Sequence, residues 1–211
     1  MWELVKAGGW LMLPLVLCSI FMVAIAIERF IRLKRNLVIP NILLIHPEQK
    51  AEQAIEKLSQ SAALQKSALG RIFQAGFNSR LQTEQYARAQ MEVVASQEIG
   101  YLEKNINFLG TLSAVAPLLG LLGTVMGIIE SFLMMDMGNT DAAMMMPGIS
   151  KALITTAAGM LIAIPALFAY RYFQRLVQEY IAELEQQSTL FHADLFYLQA
   201  PDVDQDISKA S

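Results

Sequence analysis

The residues of this chain best suited to handling a proton lie inside its most apolar stretches. Ser113, Pro117, Gly120, Thr124, Gly127 and Ser131 follow one another at spacings of 4, 3, 4, 3 and 4. That spacing is one face of an α-helix. Ala152, Thr156, Gly159, Ala163, Ala166 and Tyr170 repeat it further along. A threonine or serine hydroxyl orders a water or relays a proton, but it holds no charge near neutral pH. The same stripes also suit plain packing. Lipid tails are as apolar as leucine, so membrane helices associate where small residues let backbones approach, and Gly123 and Gly127 form a GxxxG pair. A threonine can also bond back to its own helix. Spacing alone leaves both readings open. Pro117, Gly120, Gly123, Gly127, Gly159 and Pro165 are the packing candidates. Thr124, Thr156, Ser113 and Thr155 are the candidates for a proton pathway.

Depth adds to the second reading. Thr124 lies about six residues beyond the middle of its apolar block, or ~9 Å at 1.5 Å per residue. Thr156 lies about five residues from the middle of its own block, or ~8 Å, on the same side because the two helices run in opposite directions. Their hydroxyls reach nearly the same level. In a ring of subunits they would form a polar collar in an apolar lumen.

What the blocks lack is equally informative. No Asp, Glu, His, Lys or Arg lies in the central part of any of them. An ionisable residue within the membrane is the usual mark of a proton-transfer step. A conducting assembly would therefore need a carboxylate from a partner. Glu130 and Lys151 flank the two striped blocks. They read either as interfacial charges that snorkel to the surface or as an ion pair that shapes the mouth of a pore.

Other chemistry finds little support. Cys18 is the only cysteine and lies in an apolar run, as a small buried hydrophobe does. His46 and His192 have no ligand-type neighbours at metal-binding spacing, so no metal site is expected. Met134, Met135, Met137, Met144, Met145 and Met146 suit adaptable packing more than a soft metal ion. No nucleophile–base pair and no phosphate-binding loop is present, so an enzyme is not expected. The net charge of −3 gives no reason to propose nucleic acid as a partner.

The elements that must position the stripes follow from hydropathy. The chain is 55% hydrophobic and 17% charged over 211 residues, with a mean hydropathy of +0.40. The excess sits in three uncharged blocks, Gly8–Ile27, Ile106–Ile129 and Ala152–Tyr170. Each is of the length needed to span a bilayer, about 20 residues. The first exceeds a signal-peptide core and no A-x-A cleavage site follows it, so a retained helix is expected. Arg29, Arg32, Lys34 and Arg35 follow the first block, and Arg171 and Arg175 follow the third. The link between the second and third has two Asp and no basic residue. The positive-inside rule then puts the N-terminus and that link outside, and the other two segments in the cytoplasm.

The expected fold is an all-α integral membrane bundle with three transmembrane helices and long cytoplasmic helices. Its divisions are 1–30 for the N-terminus and first span, 31–104 for a cytoplasmic helical region, and 105–135 for the second span. A short link at 136–148, the third span at 149–170 and a C-terminal helix and tail at 171–211 complete it. Within the cytoplasmic region, apolar residues at helical spacing predict two or more helices with a break near Gly76–Arg80. The last of them is expected to run straight into the second span. Tyr170–Leu198 reads as helix, and the tail beyond Ala200 as frayed.

Two stretches carry a family resemblance. APLLGLLGTVMGIIESF, at Ala116–Phe132, resembles the second-span motif of the MotA/TolQ/ExbB proton channel family. MPGISKALITTAAGMLIAIPALFAY, at Met146–Tyr170, resembles its third-span motif. Topology and helical content extend the similarity over nearly the whole chain, and they are nearer to ExbB and TolQ than to the four-span MotA. The resemblance implies a bacterial inner-membrane subunit that assembles as a homopentamer around an ExbD- or TolR-like single-span partner. The partner's membrane Asp carries the proton, and proton-motive force is passed on through TonB or TolA. It implies no cofactor beyond the coupling proton. Thr124 and Thr156 fall on the family's pore threonines. The chain departs from the pattern at Lys151, where the family often has Glu. ExbB-type service, TolQ-type service and a non-conducting scaffold are the readings to separate.

Overall fold

The computed structural model of the chain describes residues 9–45, 51–135 and 145–196. Among these every regular element is helical. The helices are α1 (Met12–Arg32), α2 (Arg35–Val38), α3 (Ala51–Gln60), α4 (Ala62–Gln65), α5 (Ala68–Asn78), α6 (Glu84–Glu103), α7 (Ile106–Met135) and α8 (Met146–Phe196), with a short 3-10 turn at Asn41–Leu43. Three helical stretches are long and apolar enough to cross a membrane, and they contain α1, α7 and the first part of α8. The chain is thus a multi-pass membrane protein. The expectations for the extreme N-terminus, His46, the 136–144 link and the tail lie outside the described residues.

Two compact units can be distinguished. The first comprises the described residues within Met1–Ile31 and Lys104–Arg175. Here α1 packs on the other two spans through Met12 and Leu15, which meet Ala116 of α7 and Ala163 of α8, with Leu119, Ile154, Ala158 and Ile162 around them. The rings of Phe21 and Phe108 meet edge to face at 6.3 Å. Leu118, Leu121, Leu122 and Ile128 of α7 and Leu153, Leu161, Ile164 and Phe168 of α8 are exposed, as befits surfaces that face lipid or another subunit. Pro117 and Pro165 lie inside unbroken helices, which membrane helices tolerate because neighbouring groups satisfy the freed backbone.

Lys104 and Asn105 interrupt the helical run between α6 and α7, and Asn105 adopts a left-handed conformation with φ of 61°. Asparagine enters that region more easily than most residues. Its side chain donates to Glu28 Oε2 at 3.1 Å. The other oxygen of Glu28 accepts from Arg29 at 3.4 Å, and Arg29 is only 1% exposed. The end of α1 is therefore held to the start of α7 by a carboxylate shared between an amide and a guanidinium.

The second unit comprises the described residues within Arg32–Glu103 and Leu176–Ser211. Its core contains Leu69, Ile72, Phe73, Leu184 and Phe191, with Phe73 and Phe191 stacked at 4.2 Å. Gly76 leaves room for Met91 and Phe191. The segment leading from α1 to α3 has little helix of its own, and polar side chains of α8 hold its backbone. Tyr180 donates to the Leu33 carbonyl at 2.9 Å. Gln187 accepts from the Ile45 amide at 2.7 Å, and Asp194 accepts from the Ala51 amide at the first turn of α3. Arg35 pairs with Glu183 at 2.6 Å. Phe73→Ala is expected to destabilise this unit by about 3–5 kcal/mol through the cavity it leaves. Hydrogen exchange of α5 and α6 amides in detergent checks this, and unchanged protection would contradict the stacked core.

Candidate functional site

The antiparallel pair α7 and α8 brings part of each stripe together, and the glycines set their distance. A Cβ on Gly159 would come within 2.6 Å of the Ala116 carbonyl oxygen. One on Gly120 would approach the Thr155 carbonyl and the Thr156 Cα at 3.0–3.1 Å. One on Gly127 would meet the Gly148 carbonyl at 2.8 Å, and one on Gly123 would overlap the Thr155 hydroxyl. Gly110 faces the Tyr170 ring at one end of the pair, and Gly148 faces Ser131 at the other. In a medium with no hydrophobic drive between helices, this close approach supplies the van der Waals contact that holds them.

The buried line of α7 runs through Leu109, Leu112, Ala116, Gly120, Gly123, Gly127 and Ser131. Ser113, Pro117 and Thr124 lie beside it and remain partly exposed. On α8 the line takes Ala152, Thr155, Gly159, Ala163 and Ala166, and Thr156 sits at its edge. The four candidate hydroxyls therefore divide. Thr155, 1% exposed, is wedged against Gly123 and donates to its own helix at the Ala152 carbonyl. Thr156 crosses the interface and donates to the Gly120 carbonyl at 3.0 Å. Thr124, one helical turn from that acceptor, donates to the Leu121 carbonyl at 2.7 Å. Ser113 donates to the Gly110 carbonyl at 2.7 Å. Each hydroxyl spends its proton on a backbone carbonyl and keeps lone pairs that accept from a water or another donor.

The charges at the far end of the pair are in contact. Lys151 Nζ lies 2.8 Å from Glu130 Oε2, with side chains 29% and 46% exposed. Next to Glu130, Ser131 donates to the Gly127 carbonyl at 2.9 Å and reaches the Met145 carbonyl at 3.3 Å. Sequence reasoning placed Ser131 on a stripe without giving it a role. It also gave no role to Gly110, which continues the second-span stripe three residues before Ser113, to Gly148, four residues before Ala152, or to Gly9, whose part is visible only once the Lys151 stem is placed. No cluster of three or more His, Cys, Asp or Glu suited to a metal occurs among the described residues.

Comparison with known proteins identifies the family. The model of the MotA/TolQ/ExbB proton channel family matches residues 64–186. An ExbB-like biopolymer transport protein of Synechocystis is 33% identical over 205 residues, covering 90% of this chain and 78% of its own length. The Tol-Pal system protein TolQ of Haemophilus influenzae is 38% identical over 112 residues, covering 50% of this chain and 49% of its own. The biopolymer transport protein ExbB of Salmonella typhimurium is 36% identical over 112 residues, covering 53% and 44%. The chain belongs to the MotA/TolQ/ExbB proton channel family, whose ExbB and TolQ members are non-enzymatic transport proteins. It is a proton-channel subunit of the ExbB/TolQ kind.

Gly123→Val is expected to destabilise the α7–α8 pair by about 1–3 kcal/mol, because the new side chain lands on Thr155. Thr156→Ser keeps the donor and should change stability by less than about 1 kcal/mol. Thermal unfolding in detergent compares the two, and a Gly123→Val protein as stable as the parent would show that the helix spacing is set elsewhere.

Proposed function

We propose that the chain is an ExbB-type subunit of the bacterial inner membrane. In this reading it couples proton-motive force to TonB-dependent outer-membrane transport. It assembles as a homopentamer, with the N-terminus in the periplasm and the C-terminus in the cytoplasm. The second and third spans line a pore that encloses a single-span, ExbD-like partner, and a TonB-like protein receives the motion. The observation that carries the reading is the pairing of a family-typical helix face with the absence of an ionisable side chain from the middle of any span. Such a wall orders water and guides a proton, while the charge itself rides on the partner's carboxylate. Thr124 and Thr156 are the wall's principal polar groups, with Ser113 on the cytoplasmic side. Thr155 serves from behind the surface, holding Gly123. Glu130 and Lys151 form the outer mouth.

The ExbB-like relatives in Synechocystis support ExbB-type over TolQ-type service. They match this chain over 90% and 86% of its length, whereas ExbB of Salmonella typhimurium and TolQ of Haemophilus influenzae match similar, shorter shares of 53% and 50%. The alternatives are a TolQ-type subunit or a scaffold without ion flux.

Thr124→Val and Thr156→Val are expected each to lower proton flux at least tenfold in liposomes that hold the chain with its partner. The oligomer on native gels should be unchanged. A tenfold loss is about 1.4 kcal/mol of barrier, the size of one lost hydrogen bond to a partly buried group. Full flux in both variants would remove the threonines from the pathway.

A further inference from the structure

Lys151 touches more than its ion-pair partner. Gly9, just before α1, has φ of +72°. A Cβ built on Gly9 would overlap Lys151 Cε and would lie 2.8 Å from Nζ and 3.5 Å from Cδ. The lysine stem therefore crosses the bare backbone of Gly9 and carries its ammonium on to Glu130. One side chain of α8 thus contacts both of the other spans at the same end of the span unit. Two further contacts stitch that end. Ser131 reaches the Met145 carbonyl, and Gly148 admits the Ser131 hydroxyl against its backbone.

We propose that Lys151 is a positioning residue, which braces the periplasmic ends of all three spans by lying across Gly9 and neutralising Glu130. The assignment of this end to the periplasm rests on the functional reading above. The brace acts on the pathway through α8. Thr156 is five residues from Lys151, and its bond to Gly120 depends on the α7–α8 register that Gly127, Gly148 and Ala152 continue to the braced end. A glutamate at position 151 would place a second negative charge beside Glu130 and has a shorter stem to lay over Gly9. A chain with lysine here and glycine at position 9 ties down with opposite charges an end where like charges would repel.

The test uses the full chain in nanodiscs, with hydrogen exchange read by mass spectrometry over Gly148–Met160 and over Leu176–Phe196. Lys151→Met and Glu130→Gln are each expected to speed exchange in the first segment about fivefold, the factor given by ~1 kcal/mol for a partly exposed ion pair, and to leave the second unchanged. The double change Glu130→Lys with Lys151→Glu should recover most of that protection. Gly9→Asn leaves the left-handed backbone accessible and fills only the space over which the lysine lies. It should speed exchange at Gly148–Met160 although both charges are intact. Unchanged exchange in Lys151→Met, or a charge swap no better than the single variants, overturns the brace. Unchanged exchange in Gly9→Asn removes the first span from it. Exchange is read without any proton gradient, so a chain that proved not to conduct would leave these results, and the brace, intact. Where the chain does conduct, Lys151→Arg should retain flux and Lys151→Met should lose it.

Discussion

The structure depends on the close approach of α7 and α8, which glycine permits and larger side chains would prevent. Gly123, Gly127 and Gly159 each face backbone or Cβ atoms of the opposite helix at distances that leave no room for a side chain, and a Cβ on Gly120 would be tight against Thr155 and Thr156. Within a bilayer this matters more than it would in water, since burying leucine against leucine gains almost nothing over leucine against lipid. The short distance also lets a hydroxyl on one helix reach a carbonyl on the other, as Thr156 does at Gly120. Packing and the proposed pathway would thus be two results of one geometric constraint. The glycines bring the helices together, and the threonines at the edge of the contact remain partly exposed.

This arrangement explains how a helix pair so poor in polar atoms can serve a proton channel. The protons of its four candidate hydroxyls are directed at backbone carbonyls, so those oxygens present lone pairs in fixed directions. Fixed acceptors order water and cost little reorganisation when a proton passes. They do not bind the proton, because a hydroxyl has no accessible charged state near neutrality. The proposed division of labour between a passive wall and an acidic partner is consistent with the residue types available.

Much of this was legible in the sequence. The three spans follow from apolar runs of bilayer length, and the helical break expected near Gly76–Arg80 falls at the end of α5, Asn78. The small-residue lines were also visible, but not which line faces the neighbouring helix. Gly123 and Thr124 are adjacent in sequence, yet about 100° apart around a 3.6-residue turn. Both lines are rich in small residues, so the choice between them is made by the facing helix. Spacing put Thr156 on its stripe and left Thr155 off it, yet Thr155 is the one buried against the facing helix and Thr156 lies at its edge. The interruption at Lys104–Asn105 has no glycine or proline to announce it. It depends on an asparagine that finds Glu28, 77 positions away in sequence. The α8 side chains that hold the segment after α1 are Tyr180, Gln187 and Asp194. Composition reads them as ordinary polar helix positions, because their acceptors and donors are backbone atoms on the far side of the sequence.

The central claim is that this chain forms a proton pathway without its own proton carrier. The most direct measurement is proton flux into liposomes under an imposed potential, with the chain alone, with its single-span partner, and with that partner's membrane Asp changed to Asn. The account predicts flux only in the second case. Equal flux from the chain alone, or flux that survives the loss of the partner's carboxylate, would contradict it.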